Sequence, residues 1–400
     1  MTPAPRLFLI AGEPSGDRLG GALMAGLREL APGVAFDGIG GEAMAAEGLA
    51  SRFPMAELTV MGLWEVLPRY RALRRRIAET GAAVAAARPD ALITIDVPDF
   101  GLRVARTARA AWPGLATIHH VAPSVWAWRP GRAARMAELI DHVLALLPFE
   151  PVLMQAAGMS CDFVGHPVVA EPRATAAEAA AFRAARGIAV DAPLLLLLPG
   201  SRRGEVERLG PRFGETLRLL RARHPALAAV VPTVPGVASP VAAMARDWGA
   251  VVVQDPADKR AAFAAADLAL AASGTVSLEL AANRVPMVIG YDFAPLTRVV
   301  IGRMLRTDTV TLVNLVSETR AVPEFLGRAC RPGPMAAALA RLIDDPAARA
   351  VQLEAMQAAM TRLGAGGEPP GLRAARSVLG YLERRAAIQP PPSTRLPPGA

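Results

Sequence analysis

Residues 7–27 read LFLIAGEPSGDRLGGALMAGL: an apolar run that breaks at Gly12 and restarts as a helical pattern after a short polar stretch. A buried strand turning through glycine into a helix can hold a phosphate, bind a dinucleotide, or let strand and helix pack closely. The glycines at 12, 16, 20 and 21 do not form G-x-G-x-x-G. Asp37 closes the second strand, where the ribose-binding acid of a dinucleotide fold would stand, and so keeps an NAD reading open. Glu13, Ser15, Gly16 and Asp17 crowd small and polar groups onto one edge, and Ser15 or Asp17 could equally cap the helix.

The same grammar continues along the chain. RLFLIAG, VAFDGIG, ALITID, LATIHHV, HVLALLPF and CDFVG are the strand candidates of the first half. The second half offers PLLLLLPGS, LAAVVPTVP, AVVVQD, LALAASGT, MVIGYD and TLVNL. Continuous apolar runs alternating with amphipathic helices predict α/β structure, with parallel sheets covered on both faces. Four hundred residues suit two such domains. The expected division is an N-terminal Rossmann-like domain over 1–168 and a second over 169–370. A C-terminal helix over 371–386 and a disordered proline-rich tail over 387–400 follow.

Bulk composition narrows the function. Hydrophobic residues make up 52% of the chain but aromatics only 5%, so Ala, Leu and Val must build the cores. The net charge is +8, and Lys259 is the only lysine, which excludes the lysine of a G-x-x-x-x-G-K-[ST] phosphate loop. Arginine suits bidentate phosphate contacts instead. Cys161 and Cys330 fit neither a metal spacing nor a disulfide framework, which favours a reducing cytosol. Neither a signal peptide nor an 18-residue apolar span is visible.

Ligands of open parallel sheets sit beyond the carboxyl ends of the strands. Asp96 ends the third strand and Asp99 follows Pro98; a carboxylate there can serve as a base, whereas Asp99 could also cap the next helix. After the fourth strand, Trp126 and Trp128 stand in a loop as a site wall or membrane contact. His119 and His120 are acid–base groups or packed strand-end residues. In LLLLLPGSRRGEV, the helix start at Gly200 and Ser201 with Arg202 or Arg203 beside it would hold a diphosphate. Ser273, Gly274 and Thr275 open another helix, with Glu279 a turn further on and placed for ribose hydroxyls. Finally, Met61, Leu63, Trp64 and Leu67 precede Arg69, Arg71, Arg74 and Arg75, a basic amphipathic stretch suited to an anionic membrane surface. Nucleic acid is disfavoured because no binding motif or row of stacking aromatics accompanies the arginines.

AGEPSGD, VMGLWEVL, IDVPDF, PSVWAWR, LPFE, FVGHP, LPGSRRGEV and SGTVSLE occur in this order and at these spacings. Together, over about residues 6–383, they resemble the lipid-A-disaccharide synthases, inverting glycosyltransferases with two Rossmann-like domains facing a central cleft (the GT-B type). Pro14 stands where the family usually has Thr, and Trp64 where an aliphatic residue is expected. The resemblance implies transfer from UDP-2,3-diacylglucosamine to 2,3-diacylglucosamine 1-phosphate (lipid X), giving the β-1,6-linked disaccharide 1-phosphate and UDP. It implies Asp96 and Asp99 at the catalytic position and no cofactor or metal. The donor would lie on Gly200, Ser201, Arg202, Ser273, Gly274, Thr275 and Glu279. The acceptor side would be Glu13, Ser15, Gly16, Asp17 and Trp126. The protein would be cytoplasmic and peripheral on the inner membrane, and the last helices leave a homodimer open. Another UDP-sugar enzyme of this type, a lipid-linked N-acetylglucosaminyltransferase or an epimerase, is the alternative.

Overall fold

The computed structural model describes residues 4–58, 63–126, 131–292 and 307–388, and the side chains of all of these except 63–70. The chain forms two compact units, one of Met1–Pro167 with Gly366–Ala400 and one of Val168–Ala365.

The first unit runs β1 (Arg6–Ala11), α1 (Pro14–Leu30), β2 (Ala35–Ile39), α2 (Glu42–Ala46), α3 (Leu63–Ala87) and β3 (Ala91–Ile95). It continues through α4 (Pro98–Ala111), β4 (Thr117–His120), α5 (Gly131–Ala137), β5 (His142–Ala145), α6 (Glu150–Ala156) and β6 (Ser160–Phe163). Its six strands are all parallel, in the order β2-β1-β3-β4-β5-β6. Both faces are covered, so Leu7 and Leu9 enter one core and Phe8 and Ile10 the other. That double burial is why the strand reads as an unbroken apolar run.

The second unit contains α7 (Ala176–Ala185), β7 (Leu194–Leu198), α8 (Arg203–Arg223), β8 (Ala228–Pro232), α9 (Ala238–Asp247) and β9 (Val251–Val253). Then come α10 (Pro256–Ala265), β10 (Leu268–Ala271), α11 (Val276–Ala282), β11 (Met287–Tyr291), α12 (Leu312–Ser317) and β12 (Glu324–Leu326). The unit ends with α13 (Pro332–Asp344) and α14 (Pro346–Arg362). Its sheet is again parallel, ordered β12-β11-β10-β7-β8-β9.

One strand assignment is corrected. TLVNL is not a strand: Leu312–Ser317 is helical, and Glu324–Leu326 forms the sixth strand. Apolar runs of this length do not separate buried strand from buried helix. Polar anchors decide the matter, because the Asn314 side chain bonds the backbone of Val322 and Glu324 accepts the amides of Val310 and Thr311.

The strand orders locate the sites. In the first unit the chain steps from β1 to β2, then returns past β1 to β3, so the order reverses between β1 and β3. In the second unit it reverses between β7 and β10. Each reversal opens a crevice at the carboxyl ends of the two strands.

The last helix, α15 (Pro370–Ile388), belongs to the first unit, where Ala374, Ala375 and Val378 join the core beside Leu23 and Leu27 of α1. Two glycines allow this crossing. A Cβ on Gly371 would lie 2.4 Å from the Ala22 carbonyl oxygen, and one on Gly26 would lie 2.7 Å from the Gly371 carbonyl. Farther along, Ser377 bonds His142 Nε2 (2.8 Å) and Asp162 (2.7 Å), while Tyr381 stacks on the His142 ring. Gly371→Ala should therefore lower stability by about 1–3 kcal/mol in denaturant melts, the scale of an overpacked contact. Gly333→Ala, where an added Cβ would meet no other described residue within 4 Å, should stay close to wild type.

Candidate active site

The first reversal brings together the two segments singled out in the first half. Asp96 and Val97 leave β3 at φ +53° and +39°, left-handed values that are strained for a side chain and most of all for a β-branched one. Neighbours hold them there. The Asp96 amide donates to the His120 carbonyl (3.0 Å), and the Val97 amide donates to Asp96 Oδ1 (2.9 Å). Across the crevice Ser15 Oγ approaches Asp96 Oδ2 at 3.4 Å. Gly12 and Gly16 permit the approach: a Cβ on Gly12 would be 3.1 Å from a Val97 methyl, and one on Gly16 would be 3.2 Å from the Ile95 carbonyl.

Ser15 and Asp99 are exposed and Asp96 is half-buried. Glu13, not Ser15 or Asp17, is the N-cap of α1, and Val97, not Asp99, caps α4. Asp17 turns inward. It is 5% exposed, and its carboxylate accepts the amides of Gly41 (2.7 Å), Ala43 (2.8 Å) and Met44 (3.1 Å), which holds the start of α2. Asp37 is also engaged, in a two-point pair with Arg52 (2.7 and 2.5 Å) that holds its carboxyl below the usual range. The acid a dinucleotide would need is therefore already paired.

The next strands extend the same lip. His119 and His120 are packed, and burial lowers them to about 3 and about 4, so both are neutral. His119 Nδ1 meets Thr94 Oγ1 at 2.7 Å, whereas neither ring nitrogen of His120 has a hydrogen-bonding partner among the described residues. Val121 follows at φ +86° and leads to the half-buried Trp126; Trp128 lies outside the described residues. Glu150, after β5, was not anticipated. It is 4% exposed and accepts the Trp126 indole N–H (3.3 Å) and the Leu147 amide (3.0 Å). Burial raises its carboxyl to about 7.

At the second reversal, Gly200–Arg202 follow β7 and Ser273–Thr275 follow the adjacent β10, with the Ala272 amide bonded to the Leu198 carbonyl (2.8 Å). The start of α8 already holds an anion, because Glu205 Oε2 lies 3.3 Å from the amides of both Ser201 and Arg202. Its Oε1 accepts Tyr291 Oη (3.2 Å) and lies 3.5 Å from the Arg202 guanidinium. Gly200, at φ +113°, must be glycine: a Cβ would sit 2.5 Å from Glu205 Oε2. The Arg202 side chain stays 71% exposed. Gly274 and Thr275 are exposed and Ser273 is half-buried. Glu279 pairs with Lys259 at 3.5 Å.

Of the basic stretch, Met61 lies outside the described residues, as do the side chains of Leu63, Trp64, Leu67 and Arg69. Arg71, Arg74 and Arg75 are exposed on α3, and Arg75 pairs with Glu79 at 3.2 Å. Arg76 is held by Glu57 and Glu79 over the Phe53 ring. Among the described residues no cluster of His, Cys, Asp or Glu could hold a metal ion, and no helix is long and apolar enough to cross a membrane.

Comparison with known proteins shows the family. The family model described as lipid-A-disaccharide synthetase matches residues 7–365. The lipid-A-disaccharide synthase of Ruegeria pomeroyi is 63% identical over 94% of this chain and 95% of its own length. That of Rhodospirillum centenum is 50% identical over 95% of each chain. The chain belongs to the lipid-A-disaccharide synthase family. It is thus a glycosyltransferase, as the eight motifs implied.

Solved structures at low identity share the synthase fold. A UDP-N-acetylglucosamine 2-epimerase from Neisseria meningitidis superposes with a TM-score of 0.62 at 11% identity, covering 95% of this chain and 99% of its own. The calicheamicin glycosyltransferase CalG4 gives 0.58 at 16%, covering 96% and 99%. The epimerase alternative has only this likeness of fold behind it, and the family assignment does not favour it.

The raised Glu150 carboxyl makes stability depend on pH. Below about pH 4.5, folded and unfolded chains both carry its proton. Between there and about 7 the unfolded chain releases the proton first, so stability falls as pH rises and the loss is complete above 7. The shift corresponds to about 3 kcal/mol. Denaturant melts of Glu150→Gln should match wild type near pH 5 and exceed it near pH 8; a gap that does not open with pH would contradict this.

Proposed function

We propose that this synthase joins UDP-2,3-diacylglucosamine to 2,3-diacylglucosamine 1-phosphate with inversion, releasing UDP and the β-1,6-linked disaccharide 1-phosphate. The observation that supports a transfer site most strongly is the Ser15–Asp96 crevice at the first strand-order reversal. There a half-buried carboxylate is held on strained backbone beside an exposed hydroxyl.

In this reading Asp96 takes the proton from the acceptor's 6-hydroxyl as that oxygen attacks the anomeric carbon on the face opposite UDP. Ser15 and the exposed Asp99 orient the acceptor, with Glu13 and Gly16 forming the same lip and Trp126 its wall. Asp17 acts one step back, by fixing α2 against α1. The departing diphosphate needs cations and donors aimed at its oxygens. The Arg202 side chain and the Ser273–Thr275 turn supply them, together with backbone at Gly200 and Ser201 once Glu205 shares or yields its hold. Glu279 takes the ribose hydroxyls.

Both substrates carry acyl chains, so the reaction belongs at a membrane surface. Arg71, Arg74 and Arg75 recur at helical spacing on α3 and suit an anionic inner-membrane face on its cytoplasmic side.

Asp96→Asn should retain UDP binding by calorimetry while turnover falls more than about a hundredfold, the scale of a lost general base. Near-normal turnover would remove Asp96 from the role. Separately, Ser15→Ala should raise the acceptor KM and Arg202→Ala should weaken UDP binding. The reverse pattern would contradict the assignment of acceptor to the first unit and donor to the second.

A further inference from the structure

Glu150 is buried at a place where burial is expensive. A carboxyl removed from water loses several kcal/mol of hydration unless donors replace it. Donors to Glu150 come from two different loops. Leu147 belongs to the turn between β5 and α6; Trp126 belongs to the loop that leaves β4. Both loops lie at the carboxyl edge of the first sheet, on adjacent strands.

Trp126 is restrained twice. An indole N–H can only donate, and its partner here is Glu150 Oε1. Its ring also meets Phe149 edge to face, with centroids 5.6 Å apart and planes at 85°. One contact fixes the N–H edge and the other the ring plane, so together they define the rotamer. Upstream, the loop leaves β4 through Val121 at φ +86°, with its amide bonded to the Leu144 carbonyl (3.0 Å). The described part of the loop is thus anchored to β5 by a backbone bond at Val121 and to the start of α6 by a side-chain bond at Trp126.

We infer that Glu150 is the positioning residue for Trp126, and that through it the indole is held ready for the sugar ring of the acceptor. At 4% exposure Glu150 does not reach substrate; its effect passes through the tryptophan. An indole face suits the apolar face of a pyranose, and a ring already in its bound rotamer loses less entropy when the sugar arrives. A purely structural capping role, in which Glu150 serves only the start of α6, would leave the indole and the acceptor unaffected. The inference rests on the acceptor assignment of the first unit.

The test uses the full-length protein with both acylated sugars. Glu150→Leu keeps the volume but leaves the indole without an acceptor. It should raise the acceptor KM about tenfold, the scale of a lost hydrogen bond to a charged or buried group, while the donor KM stays near wild type. Trp126→Phe should do the same, and the double variant should be no worse than either single one, because the two act as a unit. Glu150→Gln, which keeps one acceptor oxygen, should recover most of the loss. Tryptophan emission supplies a readout independent of activity: Glu150→Leu should shift it to the red, and the shift should vanish in the Trp126→Phe background. An unchanged acceptor KM, additive variants, or an emission shift that survives Trp126→Phe would overturn the inference. Failure of the wild type to form any disaccharide would instead strike the functional reading, with the emission measurements still deciding whether Glu150 holds Trp126.

Discussion

The backbone between β3 and α4 is the constraint on which the first site depends. Two consecutive non-glycine residues, Asp96 and Val97, stand in the left-handed region, each at a cost of order 1 kcal/mol or more. The surrounding residues over-determine this geometry. The Asp96 amide extends the ladder to His120, the Asp96 carboxylate takes the Val97 amide, and the Val97 methyls lie where a side chain at Gly12 would be. The strain points the carboxylate of Asp96 toward Ser15 instead of leaving it in a regular helix start. Gly12 and Gly16 of the opening motif follow from the same fact, since they make room for the end of β3 and the turn after it.

The two reversals of strand order use similar backbone for opposite electrostatic ends. At the first, the half-buried Asp96 carboxylate stands beside the exposed Ser15 hydroxyl. At the second, Arg202 stands exposed over a helix start. The internal carboxylate of Glu205 there ties the β7 turn to Tyr291 at the end of β11. Its hydrogen bonds are all 3.2–3.3 Å, at the long end of the normal range. Such a carboxylate keeps the amides and the guanidinium oriented without binding them tightly.

Much of this was legible in the chain. The leucines of 194–198 are buried on both faces, so the run itself announces a parallel strand, and the glycine turn after it announces a helix start. TLVNL failed because its fate depends on Asn314 reaching Val322 and on Glu324 reaching back to Val310, contacts between segments that local pattern does not encode. Asp17 reads as a lip residue by position, yet its side chain points at α2; it lies two positions after Ser15, a little over half a turn round the helix. Glu150 stands in LPFE, one of the eight motifs, and its burial and its bond to Trp126 are what distinguish it. The return of α15 to the first unit depends on Gly26 meeting Gly371, a match across 345 positions of chain with no local signature.

The most direct test of the account is the product itself. The protein would be incubated with UDP-diacylglucosamine labelled with carbon-13 at the anomeric position and with the 1-phosphorylated acceptor, and the product read by mass and NMR. A carboxylate delivering the hydroxyl from the face opposite the leaving group predicts one equivalent of UDP per disaccharide and a β linkage to the acceptor's 6-position. An α linkage, or UDP released with free diacylglucosamine and no disaccharide, would contradict it.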